Sequence, residues 1–175
     1  MQIKKILFTL MLLCGYATAN EFASLTSFQA KFKQTITDDA NNTIAYFGQV
    51  LFKKPNFSKW SYKDPVEKDI FINGKSVTII DADLEQVIQT TLAKQINLID
   101  ILQKAKKKAK DKYKAQFLDT SFDIKTQKGV ISSVEYFDEL ENKVTLSFSK
   151  QKSNLNISNS EFLFNIPADY ERIDQ

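Results

Sequence analysis

Two carboxylate pairs, Asp38-Asp39 and Asp81/Asp83, are the side chains of this 175-residue chain whose types suit acid–base work or a Ca²⁺ site. Both lie among turn-forming residues, where Asp bonds local backbone, and neither has the spacing of a Ca²⁺-binding loop. No histidine occurs, which removes Ser–His and Cys–His nucleophile pairs and every His-bearing zinc or iron site. The phosphate-cradling patterns G-x-x-x-x-G-K-[ST] and G-x-G-x-x-G are missing too. Arg172 is the sole arginine, so bidentate recognition of phosphate or guanine has little to work with. These residues argue against an enzyme, a bound metal or other cofactor, and nucleic acid as a partner.

What remains is apolar chemistry, concentrated in residues 46–62, YFGQVLFKKPNFSKWSY. With a period of two, Tyr46, Gly48, Val50 and Phe52 share one face of a strand, and Ser58, Trp60 and Tyr62 share a face of the next. Phe57, Lys59 and Ser61 face the opposite way. Pro55-Asn56 supplies the turn between the two strands. The result is a hydrophobic wall, either packed core or the lining of a binding cavity.

The elements around this wall follow in order. Residues 1–19 carry Lys4 and Lys5, an apolar run from Ile6 to Leu13, and Ala17-Thr18-Ala19, the pattern of a secretory signal peptide cut before Asn20. The run is too short for a permanent membrane anchor. Cys14, in Leu12-Leu13-Cys14-Gly15, superficially resembles a lipidation site, but the preceding Leu13 is not the usual small residue. The expected mature chain, residues 20–175 as a single domain, has no cysteine. Removing Lys4 and Lys5 also lowers the basic count from 24 to 22 against 21 acidic residues, so the mature chain is close to neutral.

Phe22, Leu25, Phe28, Phe32 and Ile36 recur at helical spacing and predict an amphipathic helix over residues 21–36. Strands are expected over 43–52, 57–63, 66–73, 75–81 and 84–91, with Asn73-Gly74 as the strongest hairpin signal. Leu98, Ile101, Leu102, Ala105 and Ala109 predict a second helix over 97–113, capped by Asn97 and carrying lysines from Lys104 to Lys112, with Lys114 just beyond. These lysines read as a solvated face, or as a patch for anionic lipid or an acidic partner. Strands follow over 117–126, 129–137 and 144–149, and a short pair near 155–157 and 162–166.

Several of these motifs together carry a resemblance. Phe28-Gln-Ala-Lys-Phe32-Lys-Gln34 is similar to F-x-A-x-F-x-Q, and Gly48–Trp60 to G-x-[LV]-x-x-[KR]-[KR]-P-N-x-x-x-W. Asn73-Gly74-Lys75, Leu84-Glu85-Gln86 and Phe162-x-Phe164-x-x-Pro167 extend the likeness over the expected mature chain. The chain thus resembles the periplasmic outer-membrane lipoprotein carrier family, LolA.

That resemblance implies an α+β fold: an unclosed, highly curved antiparallel β-barrel with a helical lid over an apolar cavity. It implies a periplasmic chaperone that shelters the acyl chains of triacylated lipoproteins between an inner-membrane ABC-type exporter and the outer membrane. An outer-membrane lipoprotein receptor is a further expected partner, and the carrier itself is expected to be monomeric. The cavity and lid candidates are Phe28, Phe32, Val50, Phe52, Phe57, Trp60, Leu98, Ile101 and Leu102. The basic residue before the proline, usually arginine, holds the family's lid through backbone carbonyls. Here it is Lys54, whose ammonium lacks the planar fork. Two competing readings are a receptor anchored through acylated Cys14 and a basic lipid- or partner-binding module built on the lysines of residues 104–114.

Overall fold

Ala30 lies between Phe28 and Phe32, and all three are buried while Lys31 and Lys33 are exposed. That alternation belongs to a strand, not a helix. In the computed structural model, which describes residues 20–93 and 98–174, it forms β1 (Ser27–Thr37). The helix expected over residues 21–36 is therefore corrected. Phe28 and Phe32 are four apart, a spacing that suits both periods, and the inward Ala30 marks the true one.

The next strands are β2 (Thr43–Lys53), β3 (Phe57–Asp64), β4 (Lys68–Asn73), β5 (Ser76–Asp81) and β6 (Gln86–Thr91). Their hairpins fall at the turn signals, with Gly74 at φ 64° closing β4–β5. A single six-residue helix follows, α1 (Leu98–Gln103). The longer helix expected to Tyr113 is a second correction. Beyond Gln103 the chain forms β7 (Lys106–Ala109) and β8 (Lys112–Phe117), where Tyr113 and Ala115 are buried and Lys112, Lys114 and Gln116 are exposed. Asn97, the expected cap, and residues 1–19 with Cys14 lie outside the described residues.

Strands β9 (Thr120–Gln127), β10 (Val130–Phe137) and β11 (Lys143–Ser153) bring the chain back beside β1. The sheet order is β12-β6-β5-β4-β3-β2-β1-β11-β10-β9-β8-β7, and its two outermost strands leave the curved sheet unclosed. It is antiparallel except for β12 (Glu171–Asp174), which pairs in parallel with β6. The strand pair expected near 155–166 is absent from the described residues. A 3₁₀ turn, Asn159–Phe162, stands there instead, its first turn closed by the Ser158 hydroxyl. Among the described residues the architecture is mostly β with one short helix, where an α+β fold was expected.

Side chains of one parity from β1–β3 and β8–β11 form the core under the concave face. Phe28, Val50, Ile124 and Val134 are each no more than 1% exposed there. The opposite parity of β3 and β4 is covered by the C-terminal segment: Phe57 packs on Phe162 and Phe71 on Phe164, with centroids 5.2 and 5.1 Å apart. The sheet is thus buried on both faces over part of its width. This is why Phe57, expected in the cavity, instead sits on the convex side.

Candidate functional site

An apolar row runs along the concave face from β11 to β3. The Phe28 ring meets Phe148 edge-on at 5.5 Å and lies 6.4 Å from Phe52. Phe52 meets Trp60 at 5.3 Å, and Phe32 is held between Trp60 and Tyr62 at 5.3 and 5.1 Å. Edge-to-face pairs of this kind add to area burial. The Tyr62 hydroxyl donates to Gln34 Oε1 at 2.8 Å, and burial pushes its pKa up to about 12. Gly48 makes room for Phe32: a Cβ there would lie 2.8 Å from the Phe32 ring and would collide with the Ser61 carbonyl oxygen.

In front of this row the concave face leaves a cavity of about 340 Å³. Phe52 and Trp60 form its floor, Leu98 and Ile101 of α1 its roof, and Phe122 and Tyr136 its far wall. Ser58 also lines it and is buried. The space suits an apolar guest: most of its lining is apolar or aromatic, with Thr120 and the turn residues Asp138 and Glu139 supplying polar groups. A larger depression of about 530 Å³ lies over β1, β2 and β11, edged by Lys31, Lys33, Lys63 and Phe47, and α1 does not cover it.

The candidates from the sequence divide accordingly. Phe52, Trp60, Leu98 and Ile101 border the cavity. Phe28, Phe32, Val50 and Leu102 lie in the core cluster around it, and Phe57 lies on the other side of the sheet. Phe117, Phe122 and Tyr136 escaped sequence reasoning. The helix expected to residue 113 and the strand expected from residue 117 divide β8 between them, and the partners of β9 and β10 cannot be known before the register is.

Helix α1 buries Leu98, Ile99, Ile101 and Leu102 and is held by polar groups at its C-terminal end. Lys54 Nζ donates to Gln103 Oε1 at 2.7 Å and lies 3.7 Å from Asp100 Oδ1. Gln103 Nε2 in turn donates to the carbonyls of Ala23 and Leu25 at 3.0 and 2.9 Å. Asn20 Nδ2 donates to the Leu102 and Gln103 carbonyls at 3.1 and 2.6 Å. Lys54 thus meets α1 through side chains, where backbone carbonyls were expected, and Gln103 and Asn20 supply the backbone contacts. Nothing in the local sequence of Gln103 marks this role.

Among the described residues, no group of three or more His, Cys, Asp or Glu side chains is placed to hold a metal, and no helix is long and apolar enough to cross a membrane. Asp38 and Asp138 instead close matching turns: each accepts the backbone N–H and the side-chain amide of Asn42 or Asn142. Those bonds lower the pKa of both carboxyls.

Residues 23–121 match the family described as outer membrane lipoprotein carrier protein LolA. An outer-membrane lipoprotein carrier protein from Campylobacter jejuni is 36% identical over 148 residues, covering 85% of this chain and 86% of that one. One from Helicobacter pylori strain J99 is 33% identical over 151 residues, covering 86% of this chain and 80% of the other. Among solved structures, a LolA superfamily protein from Nitrosomonas europaea matches with a TM-score of 0.50 at 12% identity, over 83% of this chain and 94% of that one. An uncharacterized conserved protein from Thermus thermophilus matches at 0.54 and 11%, over 90% and 95%. These two likenesses concern the fold alone.

Proposed function

The chain belongs to the LolA family of outer membrane lipoprotein carrier proteins, and we propose that it carries lipoproteins by enclosing their acyl chains in the cavity beneath α1. It is a periplasmic lipoprotein carrier. The observation that carries the cavity assignment is the placement of Trp60, Phe52, Leu98 and Ile101 around one apolar space. Each acyl methylene moved from water into such a space gains about 0.8 kcal/mol, so a carrier needs apolar surface and no reacting group.

A volume of about 340 Å³ is at the lower end of ligand sites, roughly 300–1,000 Å³, so several acyl chains require the cavity to widen. Helix α1 is the element to move. It is short, it follows the stretch after β6, and its polar anchoring runs through Lys54, Gln103 and Asn20. Lys54 latches the empty carrier through Gln103, and acyl chains entering beneath Leu98 and Ile101 offset the loss of that latch.

The finer steps of the account are that the leader 1–19 is cleaved, that an inner-membrane ABC-type exporter loads the carrier, and that cargo passes to an outer-membrane receptor. Native mass spectrometry of the purified protein mixed with a triacylated lipoprotein tests the proposal. A one-to-one complex that the nonacylated form does not give supports it. A folded protein that gives no acyl-dependent complex refutes it.

A further inference from the structure

The β7–β8 hairpin carries a charge arrangement that the cavity does not use. Lys104, Lys106, Lys108 and Lys114 line one groove of about 320 Å³, with Ala115 and Gln116 completing its walls and no acidic residue among them. Lys106 lies directly across from Lys114, and Lys112 directly across from Lys125 on β9. Like charges facing each other between strands destabilise a sheet. Relief through ion pairs is limited: Lys107 reaches Glu21 at 3.3 Å and Lys114 reaches Asp123 at 3.7 Å. Among the described residues, Lys104, Lys106, Lys108, Lys110 and Lys112 have no acidic partner within 4.0 Å.

Lysine on an outermost strand has an ordinary use, since it discourages pairing with another chain's edge. That use needs neither a facing lysine on β8 nor a second facing pair further into the sheet. The surroundings add to the argument. At the other end of the strands, the turns 38–42, 82–85, 118–119 and 138–142 contain acidic residues and no basic one. Charge is therefore polarised along the strand direction: the opposite end carries Lys53, Lys54, Lys75 and Lys128, and the hairpin turn there holds Lys110 beside Asp111.

We propose that the β7–β8 hairpin docks the protein on an anionic bilayer surface. Phosphate headgroups relieve the facing lysines, while the acidic turns at the far end are repelled and orient the molecule. Lysine ammoniums spread over β7, β8 and β9 without an arginine fork suit many diffuse headgroups better than one shaped acidic epitope. Only residues 104 and 105 separate the hairpin from α1, so docking brings the helix that roofs the cavity to the membrane. The inference stands on the charge of the hairpin, its neighbour β9 and the far turns, and is independent of whether the cavity holds acyl chains.

The test is cosedimentation of the protein, expressed from its full sequence and recovered as the cell processes it. Its partners are vesicles of phosphatidylethanolamine with phosphatidylglycerol and, separately, vesicles of phosphatidylcholine alone. The protein should bind the anionic vesicles only, and release should follow added salt. Lys106→Glu turns a repulsive pair with Lys114 into an attractive one, so the hairpin should stay folded. Each lysine near an anionic surface changes partitioning by about fivefold, so this charge reversal should lower it by at least about tenfold. Lys104→Gln/Lys108→Gln should act in the same direction without reversing charge. Equal binding to both vesicle types, or wild-type binding by both variants, overturns the proposal. Capture of polyglutamate without any vesicle binding overturns it too and identifies an acidic protein as the partner.

Discussion

Lys54 and Gln103, 49 residues apart, form one relay at the end of the roof helix: the ammonium donates to the Gln103 amide oxygen at 2.7 Å. The amide nitrogen of the same side chain holds the Ala23 and Leu25 carbonyls. A cation on one strand turn is thereby tied to the roof helix and, through it, to the segment before β1. Asp100 stands beside the pair at 3.7 Å, with side chains about a third exposed, so solvent screens that ion pair to at most about 1 kcal/mol.

Removing the relay should free α1 without unfolding the sheet. Lys54→Met and Gln103→Ala should each raise hydrogen exchange of the α1 amides about fivefold, corresponding to about 1 kcal/mol of lost closure. Protection of β1 and β2 amides should not change. Unaltered α1 exchange in both variants would remove the latch from the account.

Filling the space beside Phe32 should be costly to the fold itself. Gly48→Ala puts a methyl group against the Ser61 carbonyl and the Phe32 ring. A loss near or above the upper end of the about 1–3 kcal/mol typical of overpacked core sites is expected in denaturant unfolding, because one of the obstructing atoms is backbone. Phe32→Glu should likewise unfold the sheet, because Phe32 is a core residue of a central strand. The cost should be visible in stability before any binding assay is run.

Binding is better probed at Ile72, which lines the cavity from β4 and is only half-buried. Ile72→Glu should leave far-UV circular dichroism unchanged and weaken capture of an acylated lipoprotein at least about tenfold, from the cost of a charge beside an acyl chain. Full capture by a folded Ile72→Glu protein would place the acyl chains elsewhere.

Alkaline pH should act through two buried phenols. Burial raises the pKa of Tyr62 to about 12 and moves that of Tyr136 in the same direction. A raised folded-state pKa contributes stability that is intact below the usual value of 10.0 and is lost as pH climbs through the folded value. The ultraviolet phenolate titration should therefore show tyrosines lagging past pH 10, with unfolding setting in between about 10 and 12. A titration complete near pH 10 with the fold intact would mean that Tyr62 is wet.

The middle of the fold was legible because its signals were local. Strands β2 to β6 alternate visibly, and Pro55-Asn56 and Asn73-Gly74 mark their turns. The helix expected over 21–36 failed, and the one expected over 97–113 held only for Leu98–Gln103, because spacing was ambiguous in both stretches. Phe28 and Phe32 satisfy periods of two and four alike, and the lysine-rich stretch shows its alternation only through Tyr113, Ala115 and Phe117. The cavity was half legible. Trp60 and Phe52 lie on the strands that the family-like motif marks, whereas Phe122 and Tyr136 reach it through the β8-β9-β10 register. Phe57 went to the wrong side because the C-terminal segment that covers it is placed by tertiary packing, not by local pattern.

Trp60 is the chain's single tryptophan and borders the cavity, so its fluorescence reads the occupant directly. A lipoprotein whose acyl chains carry bromine should quench Trp60 emission on one-to-one binding, while the unbrominated form binds without quenching. A complex that forms equally well with both and leaves Trp60 emission unquenched would contradict acyl-chain enclosure beneath α1.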